Sequence, residues 1–296
     1  MKICYQTKNF RQETLALIVQ ARAIIQSYAQ QGFNLTLRQL YYQFVARGLI
    51  DNTERSYKRI GSIVSDARLA GLLDWDSIVD RTREQKANSH WADPQDILNG
   101  AAQSYSINLR TGQPTYVEVW IEKDALIDII EQACKPLDVG RFSCRGYVSQ
   151  SAMWEAAQRI NKALEDDELE HYSCVILHLG DHDPSGIDMT RDIQDRLNTF
   201  ECDATVERIA LTMPQIRALN PPPNPTKLTD SRAKEYLLDY GNQSWELDAL
   251  DPTFLTTLVT EQVGVYTDFD LFEEKEKQLE EEREYLWRVA DEAGND

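Results

Sequence analysis

An apolar run that ends in two closely spaced aspartates is the feature that most restricts how this chain can fold. Residues 174–179 read Cys-Val-Ile-Leu-His-Leu and predict a buried β-strand, which Gly180-Asp181-His182-Asp183 follows directly. Two carboxylates at the end of a buried strand disfavour each other's ionisation, because burial and like charge act in the same direction. A shared cation removes that cost. Mg²⁺ is the natural candidate, since it binds carboxylate oxygens together with substrate phosphate.

The same pattern of a strand followed by an acidic residue occurs once more upstream. Residues 116–121 predict a strand, and Glu122-Lys123-Asp124-Ala125 follows at its carboxyl end. In an open α/β sheet, ligands bind outside the carboxyl ends of the strands. We therefore expect Glu122, Asp181 and Asp183 to converge on one Mg²⁺ site, with His182 as a spacer. The alternative is that each aspartate caps a helix or lies in a turn, which is the commonest use of an aspartate after a strand.

Strands and helices alternate through the rest of this part of the chain. The predicted strands are residues 116–121, 141–145, 173–179 and 204–210, and the predicted intervening helices are residues 124–134, 151–164 and 186–198. Such alternation is typical of an α/β fold with a doubly wound parallel sheet. Further helices are predicted over residues 231–239, 252–262 and 269–290, after an irregular, proline-rich crossing at residues 221–225.

The first part of the chain predicts three helices, over residues 11–30, 37–48 and 53–70. Thr36 and Gln39 match a capping box that opens the second helix, and residues 71–75 predict a short wing. Three short helices with a basic third helix are typical of a winged-helix or helix-turn-helix DNA-binding module. An ordinary helical subdomain with solvated basic residues explains the pattern equally well. The candidate DNA contacts are Arg55, Lys58, Arg59 and Arg68, together with Lys123.

The net charge of −18 is unevenly distributed along the chain. Residues 1–90 contain thirteen Lys and Arg against eight Asp and Glu, a net charge of +5, whereas residues 91–296 carry −23. Double-stranded DNA is therefore an expected partner of the first part in spite of the overall acidity. The predicted organisation is a winged-helix-like DNA-binding domain over residues 1–90, a linker over 91–113, and a sheet domain with a C-terminal helical extension over 114–296.

Two adjacent tyrosines on the second helix have different predicted roles. At about 100° per residue, Tyr41 falls within the apolar face, whereas Tyr42 falls away from it, with Arg38 one turn earlier. We expect Tyr41 to pack in the core and Tyr42 to be presented at the surface. The guanidinium of Arg38 would favour the phenolate of a hydroxyl with an ordinary pKa of about 10, and would also bind a phosphate. The alternative is an exposed tyrosine that lies over an arginine side chain.

Together these segments resemble the signatures of the type IIB DNA topoisomerase A subunit family, which includes the topoisomerase VI A subunit and the meiotic double-strand-break transesterase. The segments are Thr36-Leu37-Arg38-Gln39-Leu40-Tyr41-Tyr42, Ile121-Glu122-Lys123-Asp124-Ala125 and Gly180-Asp181-His182-Asp183-Pro184-Ser185-Gly186. The resemblance covers about residues 30–260 and is to the reduced, stand-alone form of the family. It implies a winged-helix domain joined to a Toprim domain. It also implies that Tyr42 is the nucleophile, Arg38 a catalytic helper, and Glu122, Asp181 and Asp183 the Mg²⁺ ligands.

Cleavage of both strands of a duplex requires two nucleophiles, which predicts a C2 homodimer. The resemblance implies that the tyrosine of one protomer works with the metal of the other. We expect part of the dimer contact at the apolar side chains Trp245, Leu247, Leu250, Phe254 and Leu255, and the alternative is that they pack in the core of a single chain. The chain contains no Gly-x-x-x-x-Gly-Lys phosphate-binding loop, so any ATPase would be a separate subunit.

The predicted activity is Mg²⁺-dependent DNA cleavage through a tyrosine nucleophile. One alternative is a Toprim nuclease in which water attacks and no covalent intermediate forms. Another is a non-catalytic DNA-binding protein. The five scattered cysteines predict reduced thiols. The first eight residues do not resemble a secretory signal, and no apolar run approaches membrane-spanning length, so the expected location is cytoplasmic and nucleoid-associated.

Overall fold

The chain is a mixed α/β protein in the computed structural model, which describes residues 2–79, 90–227 and 229–293. Three helices come first: α1 (Gln12–Ala29), α2 (Leu37–Ala46) and α3 (Glu54–Leu69). The capping box is present, since Thr36 Oγ1 accepts from the backbone of Gln39, whose side chain accepts from the backbone of Thr36. Residues 80–89, at the end of the predicted first domain, lie outside the described residues. Helix α4 (Pro94–Ser104) follows within the predicted linker.

A four-stranded parallel sheet forms the centre of the molecule. Its strands are β1 (Thr115–Ile121), β2 (Gly140–Ser143), β3 (Ser173–Leu179) and β4 (Ala204–Ala210), in the order β2-β1-β3-β4. The prediction of an α/β fold with a parallel sheet is confirmed. Ile121 pairs with Leu179, so the residues that follow β1 and β3 leave the same edge of the sheet side by side.

Helices cover both faces of the sheet. The helices after β1 are α5 (Ile127–Cys134), α6 (Gln150–Glu165), α7 (Pro184–Thr199), α8 (Met213–Leu219), α9 (Ala233–Tyr240), α10 (Pro252–Val265) and α11 (Phe269–Ala293). Helices α5 and α10 pack on one face, and α6 and α7 on the other. Side chains alternate with the strand period of two. Val119 and Ile121 point to the first face, while Trp120 points to the second.

The N-terminal helices share a core with the sheet. Buried side chains of α1, α2 and α3 form one continuous cluster with those of α5, α10 and the first sheet face. A hydrogen bond of 2.7 Å from the Tyr28 hydroxyl to Asp251 Oδ2 joins α1 to the residue that caps α10. The tyrosine-bearing helix α2 is thereby held in a fixed position relative to the sheet. No helix of the described residues is long and apolar enough to cross a membrane.

Two local predictions are wrong. The segment after α3 does not form a β-wing within residues 71–79, because it makes a turn followed by a 3-10 helix over Trp75–Ser77. The apolar side chains predicted at a dimer contact belong to the core of a single chain. Trp245, Leu247, Leu250 and Leu255 are buried and Phe254 packs against them. Helix α8 and the two-stranded pair of β5 (Asn224–Pro225) and β6 (Gln243–Ser244) were not predicted.

Candidate functional site

The parallel register brings Glu122 and Asp181 together at the sheet edge. The backbone N–H of Asp181 donates to Glu122 Oε2 at 2.8 Å, and the backbone N–H of Leu247 donates to Asp181 Oδ1 at 2.8 Å. Burial, and then the charge of Asp181, raises the pKa of Glu122 to about 7. Burial likewise raises the pKa of Asp181, against the opposing charge of Lys123. The two carboxylates are therefore crowded, with too little positive charge beside them to hold both pKa values low.

Asp183 has a structural role that the sequence left open as an alternative. It is the N-cap of α7, and its Oδ1 accepts from the backbone N–H of Gly186 at 2.7 Å and from Ser185 Oγ at 2.9 Å. Within the described parts of the chain, no group of three or more His, Cys, Asp and Glu side chains is arranged to hold a metal ion. The structure thus brings Glu122 and Asp181 into contact, and it uses Asp183 at the start of the adjacent helix.

The donor chemistry of these three side chains, which we call the strand-end carboxylates, fits Mg²⁺. All their donors are oxygens, and Mg²⁺ commonly binds through one or two protein carboxylates plus substrate phosphate. The charge of Asp183 also contributes to the raised pKa of Glu122. Electrostatic crowding of this kind is relieved by a divalent cation. Glu122 and Asp181, with Asp183 beside them, are accordingly the residues that would hold it.

Arg208, on β4, is a site residue that sequence reasoning missed. Its guanidinium is partly buried and donates to the backbone oxygens of Gly180 at 2.8 Å and Asp181 at 2.6 Å. It therefore fixes the backbone of the Asp-x-Asp segment from behind. His182 points away from the carboxylates, as expected of a spacer, and its Nδ1 lies 2.8 Å from the hydroxyl of Tyr236.

The tyrosine helix departs from expectation at Tyr42. Tyr41 is buried as predicted, and its hydroxyl donates to Asn52 Oδ1 at 2.8 Å. Tyr42 was expected at the surface, but it is only 4% exposed. The 3-10 turn Leu247–Ala249 packs against α2, and Asn224 and Glu246 lie beside Tyr42 on the side that a helical wheel leaves open. Burial first, and then the charge of Glu246, raises the pKa of Tyr42 to about 12. The expected stabilisation of the phenolate by Arg38 is therefore outweighed.

Arg38 nevertheless lies beside Tyr42, with its guanidinium carbon 5.9 Å from the centre of the ring. The guanidinium contacts the carboxylate of Glu246, and its Nε lies 3.0 Å from Asp248 Oδ2. We call these two acids the Glu246/Asp248 pair. Burial would raise the pKa of Glu246, but Lys123 and Arg38 outweigh burial and lower it. Unlike the strand-end carboxylates, this pair is well compensated by positive charge.

Lys123 connects the Glu246/Asp248 pair to the sheet edge. Its Nζ lies 2.8 Å from Asp181 Oδ2, 3.1 Å from Glu246 Oε2 and 3.3 Å from Asp248 Oδ2. Burial would lower the pKa of Lys123, but the three carboxylates raise it above its ordinary value. A continuous chain of ion pairs thus runs from Arg38 on α2 through the Glu246/Asp248 pair and Lys123 to Asp181.

A cavity of about 450 Å³ opens beside Tyr42. Its lining consists of two cations, two amides, two carboxylates, three tyrosines and a threonine, which are Arg38, Lys227, Asn52, Asn224, Glu54, Glu246, Tyr41, Tyr42, Tyr57 and Thr53. Asn224 accepts from Asn52 Nδ2 at 2.8 Å, and its own Nδ2 donates to Glu246 Oε1 at 3.4 Å. The cavity therefore presents cations, amides and the tyrosine to whatever enters it.

The predicted DNA contacts on α3 divide into two groups. Arg55, Lys58 and Arg59 are exposed, and Lys58 pairs with Glu54 at 2.7 Å. Arg68 instead contributes to the fold. Its guanidinium donates to the backbone oxygens of Trp75 and Ile78 and stacks 4.7 Å from the Trp75 ring centre. Of these four basic residues, the three that are exposed therefore lie in the first half of α3.

The Glu246/Asp248 pair was also missed, although the sequence contains a signal. In residues 245–250, acidic residues alternate with apolar ones, and a charge between buried side chains usually requires a partner of opposite charge. Arg208 gave no comparable signal, because a single arginine in a predicted strand is consistent with an exposed edge. Searches of protein-family models and of curated proteins find no match to this chain.

Proposed function

We propose that the protein is a Mg²⁺-dependent DNA transesterase that acts through Tyr42, as its resemblance to type IIB topoisomerase A subunits implies. One observation carries the proposal. The ion pairs from Arg38 through the Glu246/Asp248 pair and Lys123 to Asp181 link the tyrosine helix directly to the strand-end carboxylates. Ordinary helix capping by the aspartates does not account for a link of this kind.

In the proposed reaction, Tyr42 gives up its proton and its oxygen forms a bond to a backbone phosphorus. The bond from that phosphorus to a sugar oxygen breaks, and the released oxygen takes up a proton. The phosphodiester is conserved as a phosphotyrosyl ester, so the step is reversible and divides a difficult hydrolysis into two easier steps.

Each charged group has a separate role in this scheme. Arg38, adjacent to Tyr42, would bind the phosphate through two N–H groups of its guanidinium. The ammonium group of Lys123 would contact the phosphate from another side. Glu122, Asp181 and Asp183 would hold Mg²⁺, which when bound would neutralise charge on the phosphate. Arg208 keeps the Asp-x-Asp backbone in place through its contacts to Gly180 and Asp181.

Double-stranded DNA is the proposed substrate, with the exposed residues Arg55, Lys58 and Arg59 of α3 as backbone contacts. A homodimer supplies the two tyrosines that a double-strand break requires. The resemblance implies that the tyrosine of one protomer works with the metal of its partner, whereas the ion pairs from Arg38 to Asp181 join the tyrosine helix to the strand-end carboxylates within one chain. Any ATPase subunit would be a separate chain, and nucleoid association follows from DNA binding.

A Toprim nuclease that uses water is the second candidate. It is favoured by the burial of Tyr42 and by its pKa of about 12, since a neutral, covered hydroxyl is a weak nucleophile at neutral pH. In that case the strand-end carboxylates act alone and Tyr42 serves as a core residue.

Rapid denaturation of a reaction with plasmid and Mg²⁺ tests the proposal. Protein covalently attached to DNA ends is expected from the wild type and from Tyr41→Phe, and is expected to be lost in Tyr42→Phe. The matched tyrosine is informative because both side chains are buried on the same helix. If Tyr42→Phe still produces free DNA ends at the wild-type rate, the protein is a nuclease that uses water and not a transesterase.

A further inference from the structure

The two acids of the Glu246/Asp248 pair differ in how they are enclosed. The side chain of Asp248 is 1% exposed, whereas that of Glu246 is 25% exposed. Glu246 lines the cavity beside Tyr42, together with Arg38, Asn224 and Lys227. Asp248 is therefore a fixed part of the core, while Glu246 lies at the boundary between the ion pairs and the cavity.

Glu246 contacts the groups that an oxyanion entering this cavity would be expected to contact. Its carboxylate meets the guanidinium of Arg38, lies 3.1 Å from Lys123 Nζ, and accepts from Asn224 Nδ2 at 3.4 Å. Two cations and an amide donor around one pair of oxygens form a typical anion-binding arrangement, and a phosphodiester presents the same two unesterified oxygens. The volume of about 450 Å³ is sufficient for a phosphate with its attached sugar.

We propose that the cavity beside Tyr42 binds a DNA backbone phosphate and that Glu246 occupies the phosphate's position until DNA displaces it. This inference rests on the proposed function, because it names how the substrate enters that site. When the phosphate enters, the side chain of Glu246 turns aside towards solvent, and the phosphate binds Arg38 and Lys123 in its place. Asp248 keeps its contacts to both cations and holds them in position throughout.

The test is equilibrium binding of a fluorescent DNA duplex at fixed salt in EDTA, so that no cleavage occurs. Glu246→Gln removes the internal competitor and keeps the shape of the side chain. We expect it to bind DNA about tenfold more tightly than the wild type, which is the size of one charge-assisted contact. Glu246→Ala should show the same gain, and thermal unfolding verifies that each variant is folded.

The matched control is Asp51→Asn, which removes the same charge from an exposed residue next to Asn52 on the cavity wall. It should change affinity by less than about twofold, as expected for a solvent-exposed charge. In a double-mutant cycle, Arg38→Gln should abolish the gain of Glu246→Gln, because the gain depends on the released guanidinium. Equal affinities of Glu246→Gln and Asp51→Asn, or a gain that persists without Arg38, would overturn the proposal.

Failure of this inference and failure of the proposed function give different results. If Glu246 is not displaced but the protein is a transesterase, the variants bind alike and protein-linked DNA still forms with Mg²⁺. If Glu246 is displaced but Tyr42 is not a nucleophile, Glu246→Gln binds more tightly and no protein-linked DNA forms.

Discussion

Two acidic clusters lie close together at one edge of the sheet, and they differ in how their charge is balanced. The strand-end carboxylates have little compensation, so the pKa of Glu122 is raised to about 7. The Glu246/Asp248 pair is surrounded by Arg38 and Lys123, and the pKa of Glu246 is lowered. An undercompensated cluster favours a cation from outside, whereas a compensated cluster stabilises the chain and competes with anions for its cations. In the proposed function, the first cluster binds the metal and the second controls the entry of the substrate.

The largest expected effect comes from the compensated cluster. Asp248→Asn should lower the free energy of unfolding by about 3 kcal/mol, because it removes a buried carboxylate that compensates the largely buried charge of Lys123. Chemical denaturation in EDTA measures the change. Asp195→Asn is the control, since it breaks an exposed ion pair to Arg191 and should cost less than about 0.5 kcal/mol. Equal stabilities of the two variants would remove the distinction between the clusters.

The opposite sign is expected from the undercompensated cluster. Glu122→Gln in EDTA should raise the free energy of unfolding by about 1–2 kcal/mol at pH 8, since it removes a buried charge that the folded chain disfavours. The folded pKa of about 7 exceeds the ordinary value of 4.5. The stability contributed by Glu122 is therefore fully present below pH 4.5 and is lost as the pH rises through 7. Unfolding measured at pH 5 and pH 8 should show a gain only at pH 8. A loss of stability at pH 8 would mean that Glu122 is compensated after all.

A smaller effect separates the two roles of Asp183. Asp183→Ala should cost about 1 kcal/mol in EDTA, because the cap of α7 is lost, while Asp183→Asn keeps an effective cap and should cost little. Both variants should lose most of the increase in thermal stability that Mg²⁺ gives the wild type. An unchanged Mg²⁺ response in Asp183→Asn would leave Asp183 as a helix cap alone, outside the metal site.

The sheet and its helices could be predicted because their signals are local. Residues 173–179 and 204–210 match the observed strands β3 and β4 in full. Burial on both faces gives β3 an apolar run that is visible without any knowledge of neighbours, whereas the edge strand β4 is only partly buried. The proximity of Glu122 to Asp181 followed from the same reasoning, because adjacent parallel strands end at one edge of the sheet.

The partners of these residues could not be predicted in the same way. A helical wheel identifies the face of α2 that meets one core, but it cannot show that the distant residues Asn224 and Glu246 lie beside Tyr42 on the other side. The contacts of Lys123 to Glu246 and Asp248 span more than a hundred positions in sequence. Such contacts depend on the tertiary fold, so the local sequence pattern does not identify the two partners.

Mass spectrometry of the protein–DNA product tests directly whether Tyr42 is the nucleophile. The product of a reaction with a duplex and Mg²⁺ is denatured and digested with nuclease and then with trypsin. Trypsin cleaves after Arg38 and after Arg47, so it should release residues 39–47 as one peptide. If Tyr42 is the nucleophile, this peptide carries a nucleotide, and fragmentation places the nucleotide on Tyr42 and not on Tyr41. Cleaved DNA accompanied only by the unmodified peptide, or by a nucleotide on Tyr41, would contradict it.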